Sequence, residues 1–117
     1  MICHKTDIGT ICVESSVYTN IAGFAATNCF GVKGMAVRSV TDGLVHLLRR
    51  EAMSKGVRVT FNEDDSISID LHIMVDRGVN LNAISASIIS KVRYDVTKAT
   101  GTAVSAVNVF VDSVNPE

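Results

Sequence analysis

The clearest pattern in the sequence is an alternation of apolar and polar side chains over residues 66–75. The odd-numbered positions are branched and apolar, whereas the even-numbered positions are polar, with Met74 as the exception. This two-residue period predicts a β-strand with one buried face and one more polar face. The apolar positions are Ile67, Ile69, Leu71, Ile73 and Val75, and the polar ones are Ser66, Ser68, Asp70 and His72.

After a short polar break the period changes to that of an α-helix. Apolar residues spaced by three or four predict a helix over residues 81–99, capped by Asn80 and ended by Gly101. Its apolar stripe consists of Leu81, Ile84, Ile88, Val92, Val96 and Ala99. The two-residue period then resumes at Val107, Val109 and Val111. We therefore predict a strand–helix–strand unit whose last strand runs parallel to the first, by a right-handed crossover.

The first part of the chain predicts a short strand at residues 10–13 and a helix after it. Ser15 or Ser16 can cap this helix, and Gly31 marks its end. The predicted core side of the helix consists of Val17, Ile21, Phe24, Ala25 and Cys29.

A second strand and helix are predicted next. Residues 35–40 form the strand, Thr41 or Asp42 caps the helix, and Gly56 ends it. The predicted inner face of this helix consists of Leu44, Val45, Leu47, Leu48 and Ala52.

Residues 57–61 alternate as the central strand does, and the polar connection at 62–65 is short enough for an antiparallel hairpin. The sequence therefore predicts one α+β domain over residues 1–117. In this prediction three helices pack on a mixed sheet of four to five strands, in the order β-α-β-α-β-β-α-β.

Composition narrows the classes of function. The chain has 117 residues, a formal net charge of −1 and only 5% aromatic side chains, whereas nucleic-acid binders usually carry a basic excess. No apolar run approaches the ~20 residues that cross a bilayer, and the N-terminus lacks the layout of a secretory signal. We expect a cytoplasmic protein in which Cys3, Cys12 and Cys29 are free thiols.

The residue types that bind metals do not occur at the spacing of a known site. These residues are Cys3, His4, Cys12, Cys29, His46 and His72. Structural zinc sites bring their ligands in close pairs separated by a few residues, and the acidic run of Glu63, Asp64 and Asp65 lacks the alternating ligands of a calcium loop. We therefore expect no metal or other cofactor, and a solvated turn at the acidic run.

Asp70, His72 and Asp76 share the polar face of the predicted central strand. A carboxylate beside an imidazole can tune it as a general base, so a small enzyme or ligand-binding regulator that uses Asp70 and His72 stays an alternative. The sequence places no nucleophile or oxyanion donor beside them. We assign no catalytic residues and favour a strand face that is solvated or covered by a partner.

A second alternative comes from Gly31-Val-Lys-Gly34, which matches the loop with which KH domains clamp nucleotide backbones. In KH domains this loop joins two helices, whereas a strand is predicted to follow it here. Helix closure and a tight turn explain both glycines without RNA. A KH-like RNA-binding module that uses residues 31–34 is kept as the alternative, although nucleic acid is not the expected partner.

Several short motifs occur in a definite order along nearly the whole chain. They are Gly9-Thr-Ile-Cys-Val-Glu-Ser-Ser-Val-Tyr-Thr-Asn-Ile-Ala22, Cys29-Phe-Gly-Val-Lys-Gly-Met-Ala36, Lys55-Gly-Val-Arg-Val59, Asp76-Arg-Gly-Val-Asn80, and Thr100-Gly101 followed by Ala106-Val-Asn-Val-Phe-Val111. Together with the 66–75 strand, this order resembles the bacterial alkaline shock protein family, also called the Gls-type envelope stress response family. The compact length is similar to that of the short housekeeping-type members.

The resemblance implies a non-enzymatic cytoplasmic protein of Gram-positive-type bacteria, in a family without established catalytic or ligand residues. Some members gather beneath the membrane through a membrane-anchored partner, and some self-assemble. We therefore predict an envelope stress response-type protein that acts through protein–protein contacts, with a membrane-anchored protein or a second copy as partner. The candidate contact regions are the polar face of the central strand and the exposed side of the long helix, at Ser87, Lys91, Tyr94 and Lys98.

Overall fold

The computed structural model describes residues 1–38 and 44–115. Within these residues the chain forms seven strands, two α-helices and one 3₁₀ helix. The elements are β1 (Ile2–Thr6), β2 (Gly9–Val13), α1 (Ser15–Thr27), β3 (Val32–Arg38), β4 (Val45–Leu47), the 3₁₀ helix (Arg50–Gly56), β5 (Val57–Phe61), β6 (Ile67–Val75), α2 (Leu81–Thr100) and β7 (Val104–Val114).

Strand β6 is the centre of a mixed five-stranded sheet. β7 pairs with β6 in parallel along the whole of residues 67–75. β5 and β3 pair with β6 antiparallel, β5 along residues 67–71 and β3 along residues 73–75, so these two share the other edge of β6. β4 adds to the outer edge of β3. β7 therefore forms one edge of the sheet, and the predicted parallel pair and hairpin are both confirmed.

The hydrophobic core lies between one face of this sheet and the two α-helices. All five odd-numbered residues of β6 are fully buried, whereas the even-numbered ones are half-buried. They pack against a stripe on α2 formed by Ile84, Ile88, Val92 and Val96. The predicted strand–helix unit is thus confirmed, although Leu81 and Ala99 at the ends of the stripe are exposed.

Both ends of α2 follow the capping signals of the sequence. The Asn80 side chain accepts a hydrogen bond from the Ala83 amide at 3.0 Å, which satisfies one unpaired donor of the first turn. Gly101 takes the left-handed conformation, with φ of 73°, and its amide donates to the Thr97 carbonyl at 2.8 Å. The predicted start and end of this helix are confirmed.

The α+β class is correct, but the prediction of three helices is wrong. Residues 45–47 form β4, which pairs with the outer edge of β3, and the Leu48 amide donates to the Met35 carbonyl at 2.8 Å. A short amphipathic helix is marginal by itself, and pairing with β3 satisfies the backbone of both strands instead. Leu44 and Leu47 are exposed, so the apolar stripe of the predicted helix does not form. Its predicted caps at residues 41 and 42 lie outside the described residues.

Helix α1 is confirmed as an element, but its cap, end and buried side differ from the prediction. Glu14 precedes the helix without a side-chain cap, and the last helical residue is Thr27. The buried side consists of Tyr18, Ala22, Gly23, Ala25 and Ala26, whereas Val17 and Phe24 are exposed. Four of these five buried residues have the smallest side chains, which let the helix approach the sheet closely. Of the predicted stripe, Ala25 is buried and Ile21 and Cys29 pack against the core, so the prediction is wrong only for Val17 and Phe24.

The N-terminal residues form a hairpin that the sequence did not predict in full. β1 pairs antiparallel with β2, and the Thr6 hydroxyl donates to the Gly9 carbonyl at 3.0 Å across the turn. Only Ile2 of β1 is buried in the core. β1 lacks the alternation of a half-buried strand, because most of its side chains face solvent.

A buried hydrogen bond joins α1 to the segment that follows α2. The hydroxyls of Tyr18 and Thr102 lie 2.7 Å apart, and both residues are buried. We expect Tyr18→Phe to lower the free energy of unfolding by ~1–2 kcal/mol, because the Thr102 hydroxyl would lose its partner inside the core. Chemical denaturation measures this change. Tyr94→Phe, at an exposed tyrosine, is the control, and an equal effect of both substitutions would contradict the prediction.

Candidate interaction face

The sheet face opposite the two helices carries most of the polar candidates from the sequence. We call it the open face, because both helices pack on the other side of the sheet. It includes alternate residues of β5 and β6 and their neighbours on β7. These residues are Arg58, Thr60, Ser68, Asp70, His72, Met74, Ser105, Asn108, Phe110 and Asp112.

The centre of the open face is a contact between an imidazole, a carboxylate and an aromatic ring. His72 Nδ1 lies 3.0 Å from Asp112 Oδ2. The His72 ring also stacks on Phe110, with ring centroids 4.8 Å apart and an angle of 13° between the planes. The His72 side chain is 41% exposed and that of Asp112 only 15%. Asp112 therefore holds the imidazole in a fixed orientation against Phe110 while one side of the ring stays open.

Hydrogen bonds order the rest of the face as well. Asn108 Nδ2 donates to Asp70 Oδ1 at 2.9 Å, which links β7 to β6. Further along, the Asn62 amide donates to the hydroxyls of Ser68 and Ser105 at 3.2 and 3.0 Å. These side chains hold one another in place across the strands, so the open face is preorganised.

A cleft of about 380 Å³ opens beside His72 and Asp112. The other residues that line it are Val37, Lys55, Gly56, Val57 and Arg58. Among these described residues there is no serine, threonine or cysteine, and Lys55 contributes an amine. What the structure shows for the His72–Asp112 pair is an imidazole oriented by a carboxylate at the edge of this cleft.

The three polar residues predicted to share one strand face, Asp70, His72 and Asp76, do not form one site. Asp70 and His72 lie on the open face, but each interacts with β7 rather than with the other. Asp76 lies beyond the end of β6, where its backbone amide donates to the Gly31 carbonyl at 2.8 Å. Asp112 was not among the predicted residues. It comes beside His72 because β7 pairs in parallel with β6 and the pairing is irregular between Ile73 and Met74.

The exposed side of α2 carries a different set of contacts. Lys91 and Asp95 form an ion pair at 3.3 Å, one helical turn apart. The Lys98 ammonium lies 5.6 Å from the centre of the Tyr94 ring, and Ser87 is exposed. Exposed pairs of this kind contribute little to stability. A shallow groove of about 480 Å³ also lies on this side of α2, lined by Ser90, Arg93, Tyr94, Thr97 and Lys98. This side of α2 is thus a second surface available for contacts.

Residues 31–34 do not form a KH-type loop between two helices. Gly31 lies in the turn after α1, with φ of 87°, whereas residues 32–34 belong to β3. The acidic run forms a turn in which Asp64 accepts from the Ser66 hydroxyl and amide. These bonds, chiefly that from the hydroxyl, lower the pKa of the Asp64 carboxyl. No group of three or more potential metal ligands comes together within the described ranges.

The prediction of three free thiols is wrong for two of the cysteines. Cys3 and Cys12 lie opposite each other in the β1–β2 hairpin and form a disulfide. This pairing was missed because it depends on β1, which the sequence did not predict. Cys29 is free and half-buried beside the core, and burial raises the pKa of its thiol. Lys91 opposes this shift and Asp95 reinforces it.

Alkylation of the cysteines tests this assignment. In denaturant without reductant we expect iodoacetamide to modify only Cys29, and after reduction to modify all three cysteines, as read by mass spectrometry. In the folded chain near neutral pH, modification of Cys29 should be slow, because the thiolate is the reactive form and a raised pKa reduces its fraction. Modification of three cysteines without reductant would show that Cys3 and Cys12 are not paired.

Comparisons with known protein sequences identify the family. A sequence model of the alkaline shock protein type, described by a cell envelope-related function, matches residues 3–116. The uncharacterized protein YloU of Bacillus subtilis (strain 168) is 37% identical over 94% of this chain and 92% of its own length. The uncharacterized protein Spy1614 of Streptococcus pyogenes serotype M6 is 34% identical over 94% of this chain and 91% of its own length.

Among solved structures, a variant MamM CTD in its manganese form has the same fold. The TM-score is 0.50 over 86% of this chain and 99% of that chain, at 17% identity. Within the described residues, no helix is long and apolar enough to cross a membrane. From the family match and the identity to YloU we conclude that the chain belongs to the alkaline shock protein family, whose function is related to the cell envelope.

Proposed function

We propose that this protein is a non-enzymatic interaction protein of the cell envelope and that it docks a protein partner on the open face. The supporting observation is the exposed Phe110 ring, which stacks on His72 at the centre of the open face. Neither α-helix covers this face. Because most pairings in the sheet are antiparallel, one solvated face is ordinary, and the exposed aromatic ring among ordered polar side chains is what favours a protein partner there.

The composition of the open face suits a protein partner. Phe110, which is 45% exposed, stacks on His72 at its centre, and the surrounding side chains are mostly hydroxyls, amides and carboxylates, with Arg58 and Met74 in addition. Protein interfaces commonly have aromatic anchors at the centre and a polar rim. The hydrogen bonds of Asp112, Asn108 and Asn62 already fix the orientation of their neighbours. Binding would therefore cost less side-chain entropy than on a mobile surface.

A membrane-anchored protein is the partner class that we favour. The family function is related to the cell envelope, yet the chain has a net charge of −1. Anionic lipid surfaces attract clusters of basic residues, and the near balance of charges gives no such attraction overall. Docking on a membrane-anchored protein would bring the chain to the envelope without a lipid-binding surface of its own.

Affinity capture from the native host, with and without solubilised membranes, tests this proposal. We expect the wild-type chain to capture a partner from the membrane fraction. The Thr60→Arg variant should not capture it. Thr60 is exposed on the open face, and arginine there would add bulk and charge without removing a core contact. The free energy of unfolding should stay within ~0.5 kcal/mol of the wild type, as for most surface substitutions.

Thr97→Arg is the matched control, because Thr97 is exposed on α2 in the other layer of the domain. Capture that persists with Thr97→Arg but not with Thr60→Arg supports docking on the open face. Loss of capture with Thr97→Arg alone would move the contact to α2. Unchanged capture with both variants would also overturn the proposed docking face.

A further inference from the structure

The outer edge of β7 is an unpaired sheet edge. β7 is 11 residues long and pairs with β6 on one side only, within the described part of the chain. Natural edge strands are usually protected from pairing by lysines, prolines, β-bulges, short length or a covering element. β7 contains neither lysine nor proline, Asp112 is its single charged residue, and its pairing with β6 is irregular at two places, one towards each end. The edge of the regular stretch between them, residues 106–111, is therefore open to another strand.

The sequence of β7 is nearly palindromic about Val109. If two copies of β7 pair antiparallel with Val109 opposite Val109 of the second copy, identical residues face each other at several positions. Val104 then pairs with Val114, Ser105 with Ser113, and Val107 with Val111. A twofold axis needs such a self-complementary surface, because the same strand supplies both sides of the contact.

On the core side of the sheet, this pairing would extend the buried apolar layer. Val109 and Val111 pack against the core but are only partly buried in the single chain. In the antiparallel pair Val109 lies opposite its counterpart, and Val111 lies opposite Val107 of the second copy. Cross-strand pairs of β-branched residues are favourable, so the pairing covers apolar surface that the single chain leaves at its edge.

On the open face, the same register would bring the two exposed Phe110 rings towards each other. Phe110 lies opposite Asn108 of the second copy, so the two Phe110 residues are diagonal neighbours. Diagonal positions are about 7–8 Å apart, which aromatic side chains can span. The two Asp112 carboxylates lie at opposite ends of the pair, roughly 20 Å apart at ~3.4 Å per residue. The register therefore brings no like charges together.

We propose that two copies of this chain pair antiparallel through the outer edges of β7, about a twofold axis at Val109. The two five-stranded sheets then form one continuous sheet whose open faces lie on the same side. This self-pairing does not rest on the proposed partner, because it uses the edge of β7 and is measured on the purified chain alone. Phe110 belongs to both surfaces, so the two are separated by Thr60→Arg, which lies outside β7 and should remove the partner but not the pairing.

Sedimentation over a range of protein concentrations tests the pairing. We expect a reversible dimer in the wild type and a dissociation constant at least ~10-fold weaker with Phe110→Lys, because it places two ammonium groups on diagonal neighbours across the axis. Phe30→Lys is the matched control, since Phe30 is exposed and lies outside β7. A chain that stays monomeric at all concentrations overturns the proposal. So does a dimer that Phe110→Lys leaves unchanged, or one that both variants weaken equally.

Cross-linking tests the register itself. In a Cys29→Ala background, Val109→Cys should give a covalent dimer with a short bismaleimide, because the two thiols face each other at the axis. Ser105→Cys in the same background should not, since the two copies of position 105 are separated by eight residues along the strand, roughly 27 Å. A dimer that Ser105→Cys cross-links as well as Val109→Cys does would overturn this register.

Discussion

Gly31→Ala is expected to lower the free energy of unfolding by ~2–4 kcal/mol, since it combines backbone strain with overpacking. Gly31 has φ of 87°, a conformation that side chains with a Cβ rarely adopt. A Cβ at this position would also overlap Ile84 Cδ1 and lie 3.2 Å from Val79 Cγ1. Ile84 is buried against the sheet, so it has little room to move away. Urea denaturation of the purified variant measures the loss.

Gly78→Ala separates the two causes. Gly78 has nearly the same backbone conformation, with φ of 84°, but a Cβ there would meet nothing within 4 Å. We expect this control to lose only ~1–2 kcal/mol, the cost of the left-handed backbone. If both variants lose the same amount, contact with Ile84 contributes nothing and the packing of α2 against the turn before β3 is not as described.

Ile88→Ala is expected to lower the free energy of unfolding by ~2–5 kcal/mol, because it removes buried methyl groups and leaves a cavity between α2 and the sheet. Ile88 is 0% exposed, at the middle of the apolar stripe of α2. The cost depends on how far the surroundings can collapse into the space. The flat, fully buried face of β6 offers little freedom for such a collapse, so we expect a value in the upper part of the range.

The next residue along the helix is the control. Ile89 is 36% exposed. Ile89→Ala removes the same side-chain atoms from the same helix but leaves no enclosed cavity. We expect it to lose only ~1 kcal/mol, because about a third of the residue stays in water and its truncation opens no enclosed cavity. Equal losses at the two positions would mean that α2 does not bury the side that contains Ile88.

The parts of the fold that could be predicted are those in which one periodicity lasts for many residues. β6 alternates over almost its full length, and the buried stripe of α2 runs from Ile84 to Val96, in a helix with a capping asparagine and a closing glycine. In each case the side chain, the cap and the tertiary contact favour the same structure. The parallel pairing of β7 then follows from the length of the connecting helix.

Short segments could not be assigned in the same way. Around Leu44 and Leu47 the apolar spacing fits a helical turn as well as it fits an edge strand. The unpaired edge of β3 decided between them, and that edge is a tertiary feature. On α1 the buried side consists of Tyr18, three alanines and Gly23, whereas the larger Phe24 faces outwards. A prediction that gives weight to large apolar side chains therefore adds exposed residues such as Phe24 to the buried stripe of such a helix.

The candidate site was predictable in its location but not in its contacts. The polar alternation placed Asp70 and His72 on one face, and the structure confirms that placement. Their partners Asn108 and Asp112 are about 40 residues away along the chain, and an irregularity in the pairing brings Asp112 beside His72. Such contacts depend on the register of two strands, which the sequence of one strand does not contain.

The position of β7 also has a consequence during protein synthesis. When residues 1–100 have emerged from the ribosome, the nascent chain contains β6, the strands that pair with its other edge and helix α2, but not β7. Until β7 emerges, one whole edge of an apolar strand is without hydrogen-bonding partners. Strands in this state attract chaperones and other nascent chains. We expect polypeptides that stop before Val104 to aggregate in translation extracts. Polypeptides that contain all of β7 should complete the sheet and stay in solution.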